Sequence, residues 1–394
     1  MRLLHTSDWH LGRSLHGVDL LEAQAAALDQ IVEIARSSDV DAVLVSGDVF
    51  DRAIPPVEAV RLLEDTMCRL AQYATVVVTS GNHDSAIRLG YGSRLFPAGL
   101  HVVTAVDAVG VPVELADEYG AVLIYPFPYL DPDGCRVQLG DDEPLERSHQ
   151  AVCTAAMRRV SADLATRGLF AASARTVVMA HAFVVGGFPV QTSESERDIR
   201  VGGVDSVPSG VFDGIDYVAL GHVHGAQEPR AAHDGTRLRY SGSPLRYSFS
   251  EAEHEKSVTI VDLGPDGVAA VEPVAITQPR PMARLTGTLD ELLTSRSLRR
   301  HEASWVQLTV TDAGRPEQMR ERLVQRFPHL LELRHQPVDS AIGSGTGVAQ
   351  PSAADPLEVA AGFVEHVTGF SITDAELASF RDAHEAVLAA QRES

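Results

Sequence analysis

Short apolar runs punctuate the first 225 residues, and each of them breaks off on a polar cluster. Leu3 and Leu4 run into HTSDWH, DAVLVS into Gly47 and Asp48, TVVVTS into GNHD, TVVMA into His181, and YVAL into GHVH. Valine-rich runs of this length, bounded by Gly, Asp or Asn, predict buried strands. Between them, LLEAQAAALDQIVEIARS at 20–37 puts Leu21, Leu28, Ile31, Ile34 and Ala35 on one helical face, and PPVEAVRLLEDTMCRLAQY opens with prolines suited to a first helical turn. Strand, helix and strand in succession predict an α/β fold, whose ligand crevice lies beyond the carboxyl ends of the strands. All five polar clusters sit at that end.

The pattern changes further along. LRYSGSPLRYSF and KSVTIVDLGPDGVAAVEPVAI predict strands without helices, a β-rich closure of the first domain. A strand, SWVQLTVT, and a helical stretch, PEQMRERLVQRF, then predict a small α+β unit that needs support from its neighbour. DSAIGSGTGVAQPSAADP has the composition of a flexible linker. Beyond it, Asp355, Pro356 and Glu358, and again Thr373 and Glu376, have capping-box spacing. The two helices so predicted present Leu357, Ala360, Val364 and Val367, then Leu377, Phe380, His384, Val387 and Leu388. Such short stripes have no core of their own and need another surface, on the parent domain or on a partner. The expected organisation is a main domain at 1–277, a small domain at 278–336, a linker at 337–355 and a helical tail at 356–394.

Composition fits this division: 394 residues exceed one ordinary core, and 44% hydrophobic with 22% charged residues is a globular balance. The net charge of -21 repels nucleic acid and anionic membranes at long range, unless bound cations or a basic partner reverse the field locally. Cys68, Cys135 and Cys153 lack the paired spacings of zinc sites and fit small core or surface positions in a reducing cytoplasm. MRLLHTSD turns polar at once, and no apolar run approaches the ~20 residues of a membrane span, so a soluble cytoplasmic protein without membrane association is expected.

Singly, each polar cluster is an ordinary turn or a core histidine. Together, Asp8, His10, Asp48, Asn82, His83, His181, His222 and His224 concentrate oxygen and nitrogen donors at five strand ends. Burying them together is prohibitive unless something positive neutralises the carboxylates and uses the imidazole lone pairs. Two divalent metal ions do both. Mixed carboxylate, amide and imidazole donors suit manganese, iron or zinc better than calcium, which prefers oxygen alone, and without a thiolate manganese comes first.

DWH, GDVFDR, GNHD, a lone His after a strand and GHVH, in that order over about residues 1–250, resemble the calcineurin-like metallophosphoesterases. HTSDWHLG, ALGHVHGAQ and YSGSPLRYSF are similar within that superfamily to the SbcD family, the nuclease subunits of bacterial SbcCD complexes. The resemblance implies a β-sandwich flanked by helices. It implies that Asp8, His10, Asp48 and His224 hold one metal and Asp48, Asn82, His181 and His222 the other, with Asp48 bridging ions about 4 Å apart. It makes His83 the catalytic group on the transferring phosphoryl or leaving oxygen, with Asp51 orienting it by a hydrogen bond. Asp84 is expected to hydrogen-bond around the site and Arg52 to clamp phosphate oxygens; Arg13, Arg88 and Arg94 lie near the crevice loops. It further implies a DNA nuclease with a DNA-capping domain after 277, a tail that binds the SbcC-like ABC ATPase, and a homodimer within a heterotetramer. AVRLLEDTMCRL and SAIRLGYGSRLF are the candidate dimer segments. A metallophosphatase or small-molecule phosphodiesterase explains the crevice equally well, but leaves the C-terminal third without a purpose. A scaffold with a purely structural metal site needs a missing ligand, and none is missing.

Overall fold

A computed structural model describes residues 1–168, 174–187, 189–197, 199, 206–233, 235–337, 373 and 376–381. In chain order the strands are β1 (Arg2–Thr6), β2 (Ser14–Leu15), β3 (Val18–Asp19), β4 (Ala42–Ser46), β5 (Thr75–Thr79), β6 (Leu100–Val103), β7 (Val113–Asp117), β8 (Gly120–Pro126), β9 (Arg175–His181), β10 (Phe183–Val185), β11 (Ser206–Pro208), β12 (Tyr217–Gly221), β13 (Arg237–Tyr240), β14 (Ser257–Gly264), β15 (Gly267–Ala275), β16 (Met282–Gly287), β17 (Trp305–Val310) and β18 (Leu330–His335). The helices are α1 (Leu21–Ser37), α2 (Val57–Leu70), α3 (Ala86–Leu89), α4 (Pro132–Leu139), α5 (His149–Arg167), α6 (Leu289–Thr294) and α7 (Met319–Arg326).

Two sheets form the main body, in the orders β15-β14-β1-β4-β5-β6 and β13-β12-β9-β8-β7. The inner strands of each run parallel, while β7, β14 and β15 are antiparallel additions at the edges. The uninterrupted apolar runs follow from strands buried on both faces. Leu3, Ala42, Leu44 and Val77 of the first sheet meet Ile124, Val177, Met179 and Tyr217 of the second. Their alternate neighbours Leu4, Val43, Val45 and Val76 turn outward, under a helical layer in which α1 buries Leu28, Ile31 and Ala35. On the other side Leu123, Tyr125, Val178 and Val218 lie under α4 and α5, together with the buried Cys135 and Cys153. The α/β sandwich flanked by helices is the fold expected.

One end of the sandwich is tied by charge. Arg175, 2% exposed at the start of β9, makes two hydrogen bonds to Asp117, at 2.6 and 2.9 Å, and the Met1 α-amino group donates to the same carboxylate at 2.6 Å.

After Tyr240 the chain departs from expectation. YSGSPLRYSF continues as a buried loop and a short 3-10 turn at Phe249–Glu251, because Ser241, Ser243 and Arg246 bond backbone carbonyls in place of a ladder. β16, β17 and β18 form a separate parallel sheet, closed by α6 and α7 over Leu285, Leu289, Val306, Leu308, Leu323 and Phe327.

Met1–Pro337 and Val338–Ser394 are two compact units. In the second, the Thr373 backbone donates to Glu376 at 2.9 Å and the Glu376 backbone to the Thr373 hydroxyl at 3.4 Å, the reciprocal cap expected there, and 376–381 are helical. The linker, the first tail helix with its Asp355–Glu358 cap, and His384, Val387 and Leu388 lie outside the described residues. Among the described residues no helix is long and apolar enough to cross a membrane.

Candidate metal centre

The parallel strands of both sheets end at the same edge, and the expected donors meet there. Asp8 and His10 follow β1, Asp48 follows β4, Asn82 and His83 follow β5, His181 closes β9, and His222 and His224 follow β12. Asp8, His10, Asp48 and His222 have φ of 55°, 46°, 49° and 101°, a left-handed backbone that costs a side-chain-bearing residue roughly 1–2 kcal/mol. Four such residues in one cluster are strain of the kind that persists at functional sites. The glycines of the loops permit the close approach. A Cβ on Gly81 would run into the backbone nitrogen and carboxylate of Asp48, and one on Gly221 into the Ser46 carbonyl.

Asp48 is central and 2% exposed. One carboxylate oxygen accepts from the His83 backbone at 2.9 Å; the other lies 3.4 Å from His181 Nε2, 3.7 Å from His10 Nε2 and 3.9 Å from His83 Nε2. Asp8 accepts from the Ser7 hydroxyl at 2.6 Å and from the His222 backbone at 3.1 Å. His181 donates Nδ1–H to the Ser46 carbonyl at 3.0 Å, which turns Nε2 toward Asn82 Oδ1 at 2.9 Å, while His222 Nδ1 is 3.3 Å from that oxygen.

Burial raises Asp8, lowers His10 well below its usual range, and with the charge of His181 lowers His222 to about 3. Burial also opposes charge on Asp48 and His181, but these two outweigh it together. Asp48 stays well below the ordinary carboxylate range and His181 rises to about 9, with Asp8 adding to the pull.

The donor set fits a pair of divalent cations. Lone pairs converge from Asp8, His10 and His224, from His10, Asp48 and His83, and from Asp8, Asp48 and His181, each trio with its ligand atoms within 4.8 Å. His10 Nε2 faces His224 Nε2 at 3.0 Å while His10 Nδ1 is buried without a hydrogen-bond partner among the described residues. Two imidazole nitrogens on one cation, each about 2.1 Å from it, would stand about 3.0–3.4 Å apart for angles of about 90–110° at the ion.

Asp51 departs from its expected role. His83 Nδ1 donates at 2.7 Å to the backbone carbonyl of Asp51, while the carboxylate turns to Arg13 at 3.4 Å and His10 Nδ1 at 3.7 Å. Either acceptor fixes the imidazole, and the loop brings the carbonyl closer. Asp51→Asn, which keeps that carbonyl, is therefore expected to change kcat less than about tenfold, far from the ~10²–10⁴-fold of a lost acid–base group. Steady-state kinetics with cations at saturation measure the difference.

Asp84 accepts from the backbone of Val49, Phe50 and Gly81 at 3.0, 2.8 and 2.9 Å, clamping the loops after β4 and β5 together. Burial and the Asp48 charge push it up to about 7 against those donors. Arg52 is exposed, with no hydrogen bond or ion pair among the described residues. Arg13 stacks on Tyr247 at 5.2 Å and donates to the Ser195 carbonyl at 3.0 Å, and Arg88 donates to the Ala53 carbonyl at 3.3 Å.

Around His224 stand Ser195, Glu196, Glu251 and Lys256, none of them expected from sequence. The acidic residue and lysine of FSEAEHEK look like solvated surface in the sequence, yet Glu251 is 0% and Lys256 3% exposed.

Residues 1–142 match the family described as calcineurin-like phosphoesterase. Residues 278–368 match the SbcD C-terminal family, described as type 5 capsule protein repressor C-terminal domain. The chain is similar to TT1561 of Thermus thermophilus, at 14% identity and TM-score 0.41 over 70% of this chain and 99% of that one. A dimetal phosphatase from Danio rerio is similar at 15% identity and TM-score 0.42, over 71% and 99% of the two chains. The phosphopantetheinyl hydrolase of Mycobacterium tuberculosis is similar at 15% identity and TM-score 0.35, over 61% and 89%. The match at 1–142 points to hydrolysis of a phosphate ester, and the His and Asp clusters of the chain fit a dinuclear divalent centre.

Proposed function

We propose that the chain is a manganese-dependent DNA nuclease, the hydrolytic subunit of an SbcCD-type complex that processes DNA ends in repair, recombination and replication. It cuts duplex ends as an exonuclease and hairpin or single-stranded DNA as an endonuclease. The observation that carries this reading is the coexistence, on one chain, of the phosphoesterase centre and an SbcD C-terminal match at 278–368. A phosphatase has no use for the second part. Arg296, Arg299 and Arg300 stand exposed on a turn beside the small sheet, a basic surface suited to DNA phosphates on an otherwise acidic chain.

In this reading Asp8, His10, Asp48 and His224 hold one cation, and Asp48, Asn82, His181 and His222 the other. Oxygen and nitrogen donors without thiolate suit Mn²⁺. When bound, the pair supplies Lewis acidity and neutralises charge on the phosphodiester in an in-line displacement. His83 has Nδ1–H committed to the Asp51 carbonyl, so Nε2 is the atom that exchanges a proton with the reacting oxygen. Arg52 is free to reach a phosphate, and Asp84 keeps the loops of Asp48 and His83 in register. The tail helices cover their apolar stripes by docking on an SbcC-like ABC ATPase.

The test is a Mn²⁺-dependent assay of the full chain on hairpin and blunt linear DNA, with and without the ATPase subunit and ATP. Cleavage of both, lost on chelation, is expected. Turnover of a phosphomonoester with no DNA cleavage under any of these conditions overturns the reading in favour of a phosphatase. Deleting 355–394 is expected to abolish ATPase binding while leaving the centre intact.

A second copy of the chain fits the apolar groove between α2 and the segment after it. Both candidate dimer segments line this cavity of about 820 Å³, with Ile54, Val60, Tyr91 and Phe96 exposed along it and Leu95 exposed nearby. A Tyr91→Asp, Leu95→Asp variant is expected to halve the mass seen by light scattering. An unchanged mass places the dimer contact elsewhere.

A further inference from the structure

His224 is held from both its backbone and its ring. Its backbone N–H donates to Glu196 Oε1 at 2.9 Å, and its carbonyl accepts from Lys256 Nζ at 2.9 Å and from the Ser243 backbone at 3.2 Å. Its ring nitrogen Nδ1 lies 2.7 Å from the Ser195 hydroxyl, and that hydroxyl donates to Glu251 Oε1. The other oxygen of Glu251 takes Lys256 Nζ at 2.6 Å, and Lys256 also donates to the Ser243 hydroxyl at 2.8 Å.

A buried lysine–carboxylate pair contributes little net stability, because removing both charges from water offsets their attraction, and apolar replacements of similar volume are often neutral. The side chains of Glu251 and Lys256 are 0% and 1% exposed, and they meet His224 at different places, Glu251 at the ring and Lys256 at the backbone carbonyl. Their arrangement has a directional consequence. A serine hydroxyl has one proton, and here it goes to the Glu251 carboxylate. Ser195 therefore meets His224 Nδ1 only as an acceptor, so Nδ1 carries the ring proton and Nε2 the lone pair. That Nε2 is the atom directed at His10 Nε2 and grouped with Asp8.

We infer that Glu251, with its charge held in place by Lys256, acts through Ser195 and through its own oxygen 3.3 Å from Nδ1 as a positioning residue that locks His224 in the Nδ1–H tautomer and presents Nε2 to the cation shared with Asp8 and His10. This rests on the assignment of His224 as a cation ligand. Partners behind a ligating histidine set its tautomer and orientation, and losing them costs about 10–100-fold in metal affinity.

The tautomer is read directly, on the full chain without metal, from the ¹⁵N shifts of His224. The wild type is expected to show Nδ1–H, and Nε2–H there overturns the inference before any variant is made. A Glu251→Gln, Lys256→Met variant removes both buried charges at once, so neither is left unpaired. It is expected to populate both tautomers and to bind one of two Mn²⁺ ions about 10–100-fold more weakly by calorimetry, with the other unaffected. An unchanged tautomer and unchanged affinities in that variant overturn the inference. His224→Ala separates the two levels: if it still binds two ions, the ligand assignment is wrong; if it loses one while the double variant keeps both, only the positioning role falls.

Discussion

An Asp48→Asn variant is expected to bind fewer than two Mn²⁺ ions and to lose at least about 10³-fold in turnover. Among the described residues Asp48 is the one carboxylate within 4 Å of three imidazoles, His10, His83 and His181. In the proposed centre it also offsets the repulsion between two cations. Their stabilisation of transferring charge amounts to several kcal/mol, and about 4 kcal/mol corresponds to 10³ in rate. A pH signature accompanies the loss. His181, held at about 9 chiefly by Asp48 against its own burial, carries a proton at neutral pH in the metal-free protein. Cation uptake must displace that proton, so wild-type affinity is expected to rise about tenfold per pH unit up to about 9 and to level off above it. In Asp48→Asn the neutral amide no longer holds the proton, and the slope flattens. Calorimetry in buffers of different ionisation enthalpy counts the protons released. Two ions bound by the variant, with turnover within tenfold of wild type, would refute the bridging role.

His83→Ala is expected to behave differently: kcat falls about 10²–10⁴-fold, while KM and the two-ion stoichiometry hold. Its exposure sets it apart from His10 and His181. Its Nε2 is 3.9 Å from the nearest Asp48 oxygen, its Nδ1 is taken by the Asp51 carbonyl, and its side chain is 13% exposed, where those of His10 and His181 are at 0%. An atom left facing the crevice mouth can meet a reacting oxygen without surrendering a bond that holds the cluster together. Parallel kinetics and Mn²⁺ titration distinguish the outcomes, and a variant that loses an ion together with its rate would move His83 among the ligands.

The strands were legible because burial on both faces leaves an unbroken apolar run, as in DAVLVS, where Val43 and Val45 turn to the helices and Ala42 and Leu44 to the other sheet. The donors were legible because a strand that breaks off on Asp or His at its carboxyl end is unusual, and five such ends coincide here. Three things were hidden. Asp51 meets His83 through its backbone, which no side-chain pattern encodes. RYSGSPLRYSF mimics period-two alternation, yet its serine hydroxyls bond carbonyls and its chain runs as a loop. Glu251 and Lys256 lie in a polar stretch that resembles solvated surface, and only the packing of that loop against β12 and its neighbours encloses them.

At one end of the molecule, Asp117, Arg175 and the Met1 amino group join the two sheets through ion pairs within the protein itself. At the other end, Asp8, Asp48, Asn82 and His83 come from one sheet and His181, His222 and His224 from its partner. An ion held between them is a clasp as well as a reagent. By mass action a cation at a hundred times its dissociation constant adds about 2.7 kcal/mol to the cohesion of the fold. The protein thus has one fastening made of its own charged groups and, where the chemistry takes place, another that the surrounding cation supply would do up or undo.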